Sequence, residues 1–92
     1  MAVMVITGGS AGAGKATALR FAKAGYDVAI IARDESGLQE AEHACRQFGV
    51  RTQVISADVA DARSLRQAAA EIETQLGAIE VRVNNAMATV LA

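Results

Sequence analysis

Glycines at positions 8, 12 and 14 lie within the run Thr7, Gly8, Gly9, Ser10, Ala11, Gly12, Ala13, Gly14, the densest chemical signal in this sequence of 92 residues. An apolar stretch rich in β-branched residues precedes the run, and a segment with apolar residues at helical spacing follows it. The run therefore marks a sharp strand-to-helix turn. At such a turn the first N–H groups of the helix lack intrahelical partners and sit at the positive end of the helix dipole, a place suited to a diphosphate. Gly8 can take the backbone angles of the tight turn, Gly12 omits a side chain where phosphate would approach, and Gly14 allows the helix to pack closely on the strand. Ser10 adds a hydroxyl donor, and Thr7, Ala11 and Ala13 complete the candidate cradle.

A second nucleotide chemistry competes for these residues. Gly9, Gly14 and Lys15 match the phosphate loop of NTPases, but Ala16 stands where a hydroxyl would hold magnesium and Thr17 comes one position late. An ATP-binding protein is the alternative that this spacing leaves open. Arg33, directly after the second apolar run, separates the two. An acid at that place would hydrogen-bond the ribose hydroxyls of NAD and repel a 2′-phosphate. A guanidinium offers that phosphate planar, charge-assisted donors, so NADP(H) is expected in preference to NAD(H). Arg33 can also pair with Asp34 or Glu35.

The elements that must position these groups are legible from periodicity. Residues 2–7 and 27–32 are strands too continuously apolar to face water on one side. Residues 13–24 form a helix stopped by Gly25, and residues 34–48 a second one with Leu38, Ala41, Ala44, Cys45 and Phe48 on one stripe. Residues 51–57 hold a third strand. Asp61 caps a third helix that carries Leu65, Ala68, Ala69, Ile72 and Leu76 inward and ends at Gly77. Residues 79–83 are a fourth strand. Alternation of this kind implies parallel pairing and a three-layer α/β arrangement, a Rossmann-type sheet of which four strands are only part.

Taken together, the glycine run from Thr7 to Gly14, Arg33, the pair Asp58 and Val59, and the segment Asn84, Asn85, Ala86 resemble the short-chain dehydrogenase/reductase family along the whole chain. The resemblance implies strand order 3-2-1-4, an adenine contact at Asp58 and Val59, and a place for Asn84, Asn85 and Ala86 beside the central sheet and the cofactor ribose. Met87 departs from the glycine of the family pattern, and Ala11 stands where many NADP-preferring relatives carry a basic residue. The implied activity is hydride transfer between NADP(H) and a carbonyl or alcohol substrate. The family's catalytic serine and Tyr-x-x-x-Lys pair have no counterpart in the sequence. Tyr26, the one tyrosine, has no lysine four residues on. The chain is accordingly expected to be an incomplete cofactor-binding half, residues 1–92, inactive alone. A non-catalytic nucleotide-binding or interaction module stands beside that expectation.

Composition narrows the rest. Nine basic and 10 acidic residues give a formal charge of −1, with no basic stripe for nucleic acid. An apolar fraction of 52% against 21% charged residues predicts a folded chain. No apolar stretch reaches the roughly 18 residues needed to span a membrane, and the single cysteine precludes an intrachain disulfide, so a cytoplasmic protein is expected. His43 and a semi-buried Cys45 point to different sides of their helix, which argues against a shared metal site. The first two helices should cover one sheet face and the third the other, leaving the fourth strand as an apolar edge that favours self-association.

Overall fold

A computed structural model describes residues 2–85. In chain order they form β1 (Val3–Thr7), α1 (Gly12–Lys23), β2 (Asp27–Ala32), α2 (Glu35–Arg46), β3 (Thr52–Ser56), α3 (Ala62–Leu76) and β4 (Ile79–Asn84). The strands pair in parallel in the order β3-β2-β1-β4, the Rossmann-type α/β arrangement expected. Met87 and the rest of the apolar tail lie outside the described residues.

Because alternate side chains of a strand face opposite sides, β1 and β2 feed two separate cores. Met4, Ile6, Val28 and Ile30 pack under α1 and α2 through Ala18, Ala22, Leu38, Ala41 and Cys45. Val3, Val5, Ala29 and Ile31 pack under α3 through Ala68, Ile72 and Leu76. Burial on both faces explains why these strands carry no polar alternation. Leu65 reaches the second core only partly buried, near the N-terminal end of α3. That helix starts at the expected cap: Asp61 Oδ1 accepts from the Arg63 N–H at 3.0 Å and its Oδ2 from the Ser64 hydroxyl at 2.9 Å.

Two local expectations are corrected. The stripe of the second helix does not extend to Phe48, which is 46% exposed. The helix ends at Arg46, and the chain turns at Gly49 with φ +79°, carrying the ring off the buried face. Cys45 is completely buried rather than half-buried, because its position faces the strands squarely. Along β4, Ile79, Val81 and Val83 do not share a face. Val3 pairs with Ile79 but Met4 with Val81, so Glu80 is an extra residue in a β-bulge. Ile79 therefore joins the α3 side, while Val81 and Val83 join the α1/α2 side.

The lower rim of the sheet is closed by one ion pair. The buried Asp27 carboxylate accepts from Arg51 Nη2 at 2.9 Å, from Nε at 3.1 Å and from the Arg51 backbone N–H at 2.9 Å. The same guanidinium donates to the Leu76 carbonyl at 2.9 Å. Arg51 thus ties the starts of β2 and β3 to the end of α3, opposite the glycine turn.

Candidate dinucleotide site

The register brings the C-terminal ends of all four strands to one rim: Thr7 pairs with Ile31 and with Asn84, and Ala32 with Ser56. At this rim, chain connections leave β1 toward β2 on one side and reach β4 on the other. Such a switch in direction opens a crevice where ligands of α/β sheets bind. The glycine turn lies over it.

Each glycine of the turn has a separate physical role. Gly8 has φ +77°, and its N–H donates to the Ile31 carbonyl at 2.8 Å, which pins the turn to the end of β2. Gly14 is buried, and a Cβ there would collide with the Gly8 carbonyl oxygen and stand 2.8 Å from Asn85 Nδ2 and 2.9 Å from Gly9 Cα. Close packing of α1 on the strand end is therefore its role, as its spacing suggests. Gly12 differs. It is exposed at φ +60°, and a Cβ would meet nothing within 4 Å, so a side chain would project into open space above the turn.

Ala11 caps α1 in extended conformation without a side-chain hydrogen bond, and the first turn holds no acidic residue. The N–H groups of Gly12, Ala13 and Gly14 are thus left to an outside acceptor, with the helix dipole adding to their positive field. Gly9 and Gly37, not assigned site roles from the sequence, shape the same turn. A Cβ at Gly9 would press on Ile6 and Ile30, and one at Gly37 would stand 2.6 Å from Asp34 Oδ2 and 3.0 Å from Ser10 Cβ. Ser10 is half-buried against the start of α2, so a glycine in a second helix is what lets that helix approach the loop. Only the packing reveals this; an isolated glycine inside a helical pattern was the available signal.

The other wall is the end of β4. The Asn85 N–H donates to the Thr7 carbonyl and its Nδ2 to the Gly8 carbonyl, both at 3.1 Å. The Thr7 hydroxyl donates to Asn84 Oδ1 at 3.0 Å. Thr7, Asn84 and Asn85 therefore hold the glycine turn in place from across the crevice. Ala86 lies outside the described residues.

Arg33 is exposed just past β2, its carbonyl accepting from the Ser56 hydroxyl at 3.3 Å. Its guanidinium makes no ion pair with Asp34 or Glu35 among the described residues. Asp34 instead accepts from the Ser36 hydroxyl at 3.3 Å. Beyond β3, exposed Asp58 accepts from the Ala60 N–H at 2.9 Å, which closes its own turn, and half-buried Val59 packs on the α3 core.

The phosphate-loop alternative fares badly on this geometry. Gly14 is consumed by packing, and the Thr17 hydroxyl donates to the Ala13 carbonyl at 2.9 Å within its own helix. Among the described residues no group of three His, Cys, Asp or Glu side chains converges as a metal site. His43 is exposed and Cys45 buried. Burial pushes the Cys45 thiol above its ordinary value of 9.0, with Glu42 adding to the rise and Lys15 opposing it.

Comparison with known proteins agrees with the geometry. The short chain dehydrogenase family profile matches residues 2–91, and the chain belongs to that family. General stress protein 39 of Bacillus subtilis is 35% identical over 85 residues, covering 91% of this chain and 30% of the relative. L-sorbose reductase from Gluconobacter frateurii, solved with NADPH and L-sorbose, superposes with a TM-score of 0.86 at 35% identity, over 91% of this chain and 32% of that one. A xylitol dehydrogenase with NAD+ bound superposes with a TM-score of 0.85 at 27% identity, over 88% and 31%. The chain thus spans about a third of the length of the proteins it matches.

Proposed function

We propose that these residues bind a nicotinamide dinucleotide, NADP(H) in preference to NAD(H), as the cofactor-binding portion of an oxidoreductase acting on a small carbonyl or alcohol substrate. The observation that carries this is the uncapped first turn of α1 beneath a glycine turn open above Gly12, at the switch between β1 and β4. The backbone of residues 11–14 and the Ser10 hydroxyl would hold the diphosphate, and Arg33 the 2′-phosphate. Asp58 and Val59 would border the adenine, and Asn84, Asn85 and Ala86 the ribose nearer the nicotinamide. When bound, the cofactor supplies or accepts the hydride. The relatives named above support both nicotinamide cofactors, and Arg33 supports the phosphorylated one.

We further propose that the 92-residue chain binds without turning over. Its tyrosine, Tyr26, stacks edge-on against Phe21 with ring centroids 4.9 Å apart, at the rim of the sheet opposite the glycine turn. No proton donor of that kind stands at the crevice among the described residues. No helix there is long and apolar enough to cross a membrane, and a cytoplasmic setting is part of the same proposal.

Calorimetric titration with NADPH, NADH and ATP tests the binding. The expected result is tighter binding of NADPH, with Arg33→Ala narrowing the gap by about tenfold, since a hydrogen bond to a charged group contributes roughly 1.5–3 kcal/mol. Equal affinities for NADPH and NADH in the parent chain would remove the role of Arg33. Binding of ATP alone would overturn the dinucleotide assignment.

A further inference from the structure

Just past β2, Arg33 and Asp34 carry opposite charges side by side, and the fold keeps them apart. The Asp34 carbonyl accepts from the Leu38 N–H at 2.9 Å at the start of α2, and Asp34 Oδ1 accepts from the Ser36 hydroxyl at 3.3 Å. Its Oδ2 lies over Gly37, where a Cβ would stand 2.6 Å away. The acid is thus committed to the first turn of α2. The Arg33 guanidinium, exposed at the rim, makes no ion pair among the described residues. A guanidinium not held by its neighbouring acid keeps its charge-assisted donors for a phosphate.

The backbone that carries this cation is tied to β3. The ladder between β2 and β3 ends at the pair Ala32 and Ser56, followed by one bond from the Ala57 N–H to the Ala32 carbonyl at 3.0 Å. The next carbonyl, that of Arg33, has left the ladder, and it accepts from the Ser56 hydroxyl at 3.3 Å. A side chain therefore extends the strand pairing by one residue. Because that carbonyl and the Arg33 side chain hang from the same backbone position, holding the one restricts the directions open to the other. Ser56 is itself exposed, so losing its hydroxyl should cost the fold little. We propose, on the reading of Arg33 given above, that Ser56 is a positioning residue: its hydroxyl holds Arg33 where the guanidinium meets the 2′-phosphate of NADP(H), and so sets part of the preference for the phosphorylated cofactor.

Calorimetric titration of the 92-residue chain with NADPH and NADH, alongside its melting curve, tests the role of Ser56. Ser56→Ala should weaken NADPH binding roughly three- to tenfold, the range that one hydrogen bond spans, and leave NADH affinity and the melting midpoint as in the parent. Ser56→Thr keeps a hydroxyl and should bind both cofactors as the parent does, whereas the isosteric Ser56→Val should behave as the alanine variant. In an Arg33→Ala background, Ser56→Ala should cost nothing further, because the group it positions is gone. Equal losses for the two cofactors, a Ser56→Val chain with its preference intact, or a further loss without Arg33 overturns the role of Ser56 and leaves that of Arg33 standing. A parent chain with no preference for NADPH, or a preference that survives Arg33→Ala, overturns the reading of Arg33 and the role of Ser56 with it. If Ser56→Ala fails to fold, the isosteric pair decides: a narrower NADPH preference in Ser56→Val than in Ser56→Thr supports the positioning role, and equal preferences refute it.

Discussion

Alanine at Gly14 adds one methyl group at a place where the fold leaves no room. Its Cβ would overlap the Gly8 carbonyl oxygen and crowd Gly9 Cα at 2.9 Å, both backbone atoms that cannot rotate away. The one adjustable neighbour is Asn85 Nδ2, at 2.8 Å, and moving it breaks the 3.1 Å bond to Gly8. Overpacking of this sort costs about 1–3 kcal/mol and the lost hydrogen bond about 1 kcal/mol more, for a total of roughly 2–4 kcal/mol. In a domain of this size each kcal/mol lowers the melting midpoint by about 4–8 °C, so Gly14→Ala should melt at least about 8 °C lower. Gly12→Ala makes the contrasting case. No atom lies within 4 Å of its Cβ, so the cost is that of holding alanine at φ +60°, about 1–2 kcal/mol. Its methyl group would occupy the space above the uncapped helix turn, and NADPH affinity should fall by at least about tenfold, the factor that corresponds to 1.4 kcal/mol. Differential scanning calorimetry with and without NADPH separates the two effects. A Gly14→Ala chain that melts with the parent, or a folded Gly12→Ala chain that binds NADPH unchanged, refutes the division of labour between the two glycines.

Two further outcomes are expected. Arg51→Ala leaves the buried Asp27 carboxylate with only a backbone donor and frees the Leu76 carbonyl, so urea unfolding should show a loss of about 2–3 kcal/mol, and Arg51→Lys should recover only part of it because one ammonium cannot span both acceptors. For Cys45, burial raises the folded-state thiol above 9.0 while the unfolded thiol ionises near that value, so ionisation favours the unfolded chain. Its contribution to stability is full below about pH 9 and is lost as pH rises from there toward the raised folded value. The difference in unfolding free energy between parent and Cys45→Ala should therefore stay constant from neutral pH up to about 9 and shrink beyond, and a difference that grows instead would contradict burial as the cause.

Much of this protein could be read from local pattern. Continuous apolar runs at β1 and β2 revealed strands covered on both faces, and glycines 8, 12 and 14 between a strand and a helix revealed the turn, because both features arise from neighbours in the chain. The position of Arg33, directly after β2, was legible for the same reason. Features that depend on partners distant in sequence emerged only on folding. The bulge at Glu80 follows from pairing with β1 and redirects Ile79 away from Val81. The Asp27–Arg51 bond joins two strand starts to a helix end. Gly37 acquired a role only when α2 met Ser10, and Asn85 only when β4 came beside β1 and its amide reached the Gly8 carbonyl. Sequence periodicity records which way a side chain faces relative to its own element, whereas contacts between elements are set by register and packing, and those exist only once the sheet has assembled.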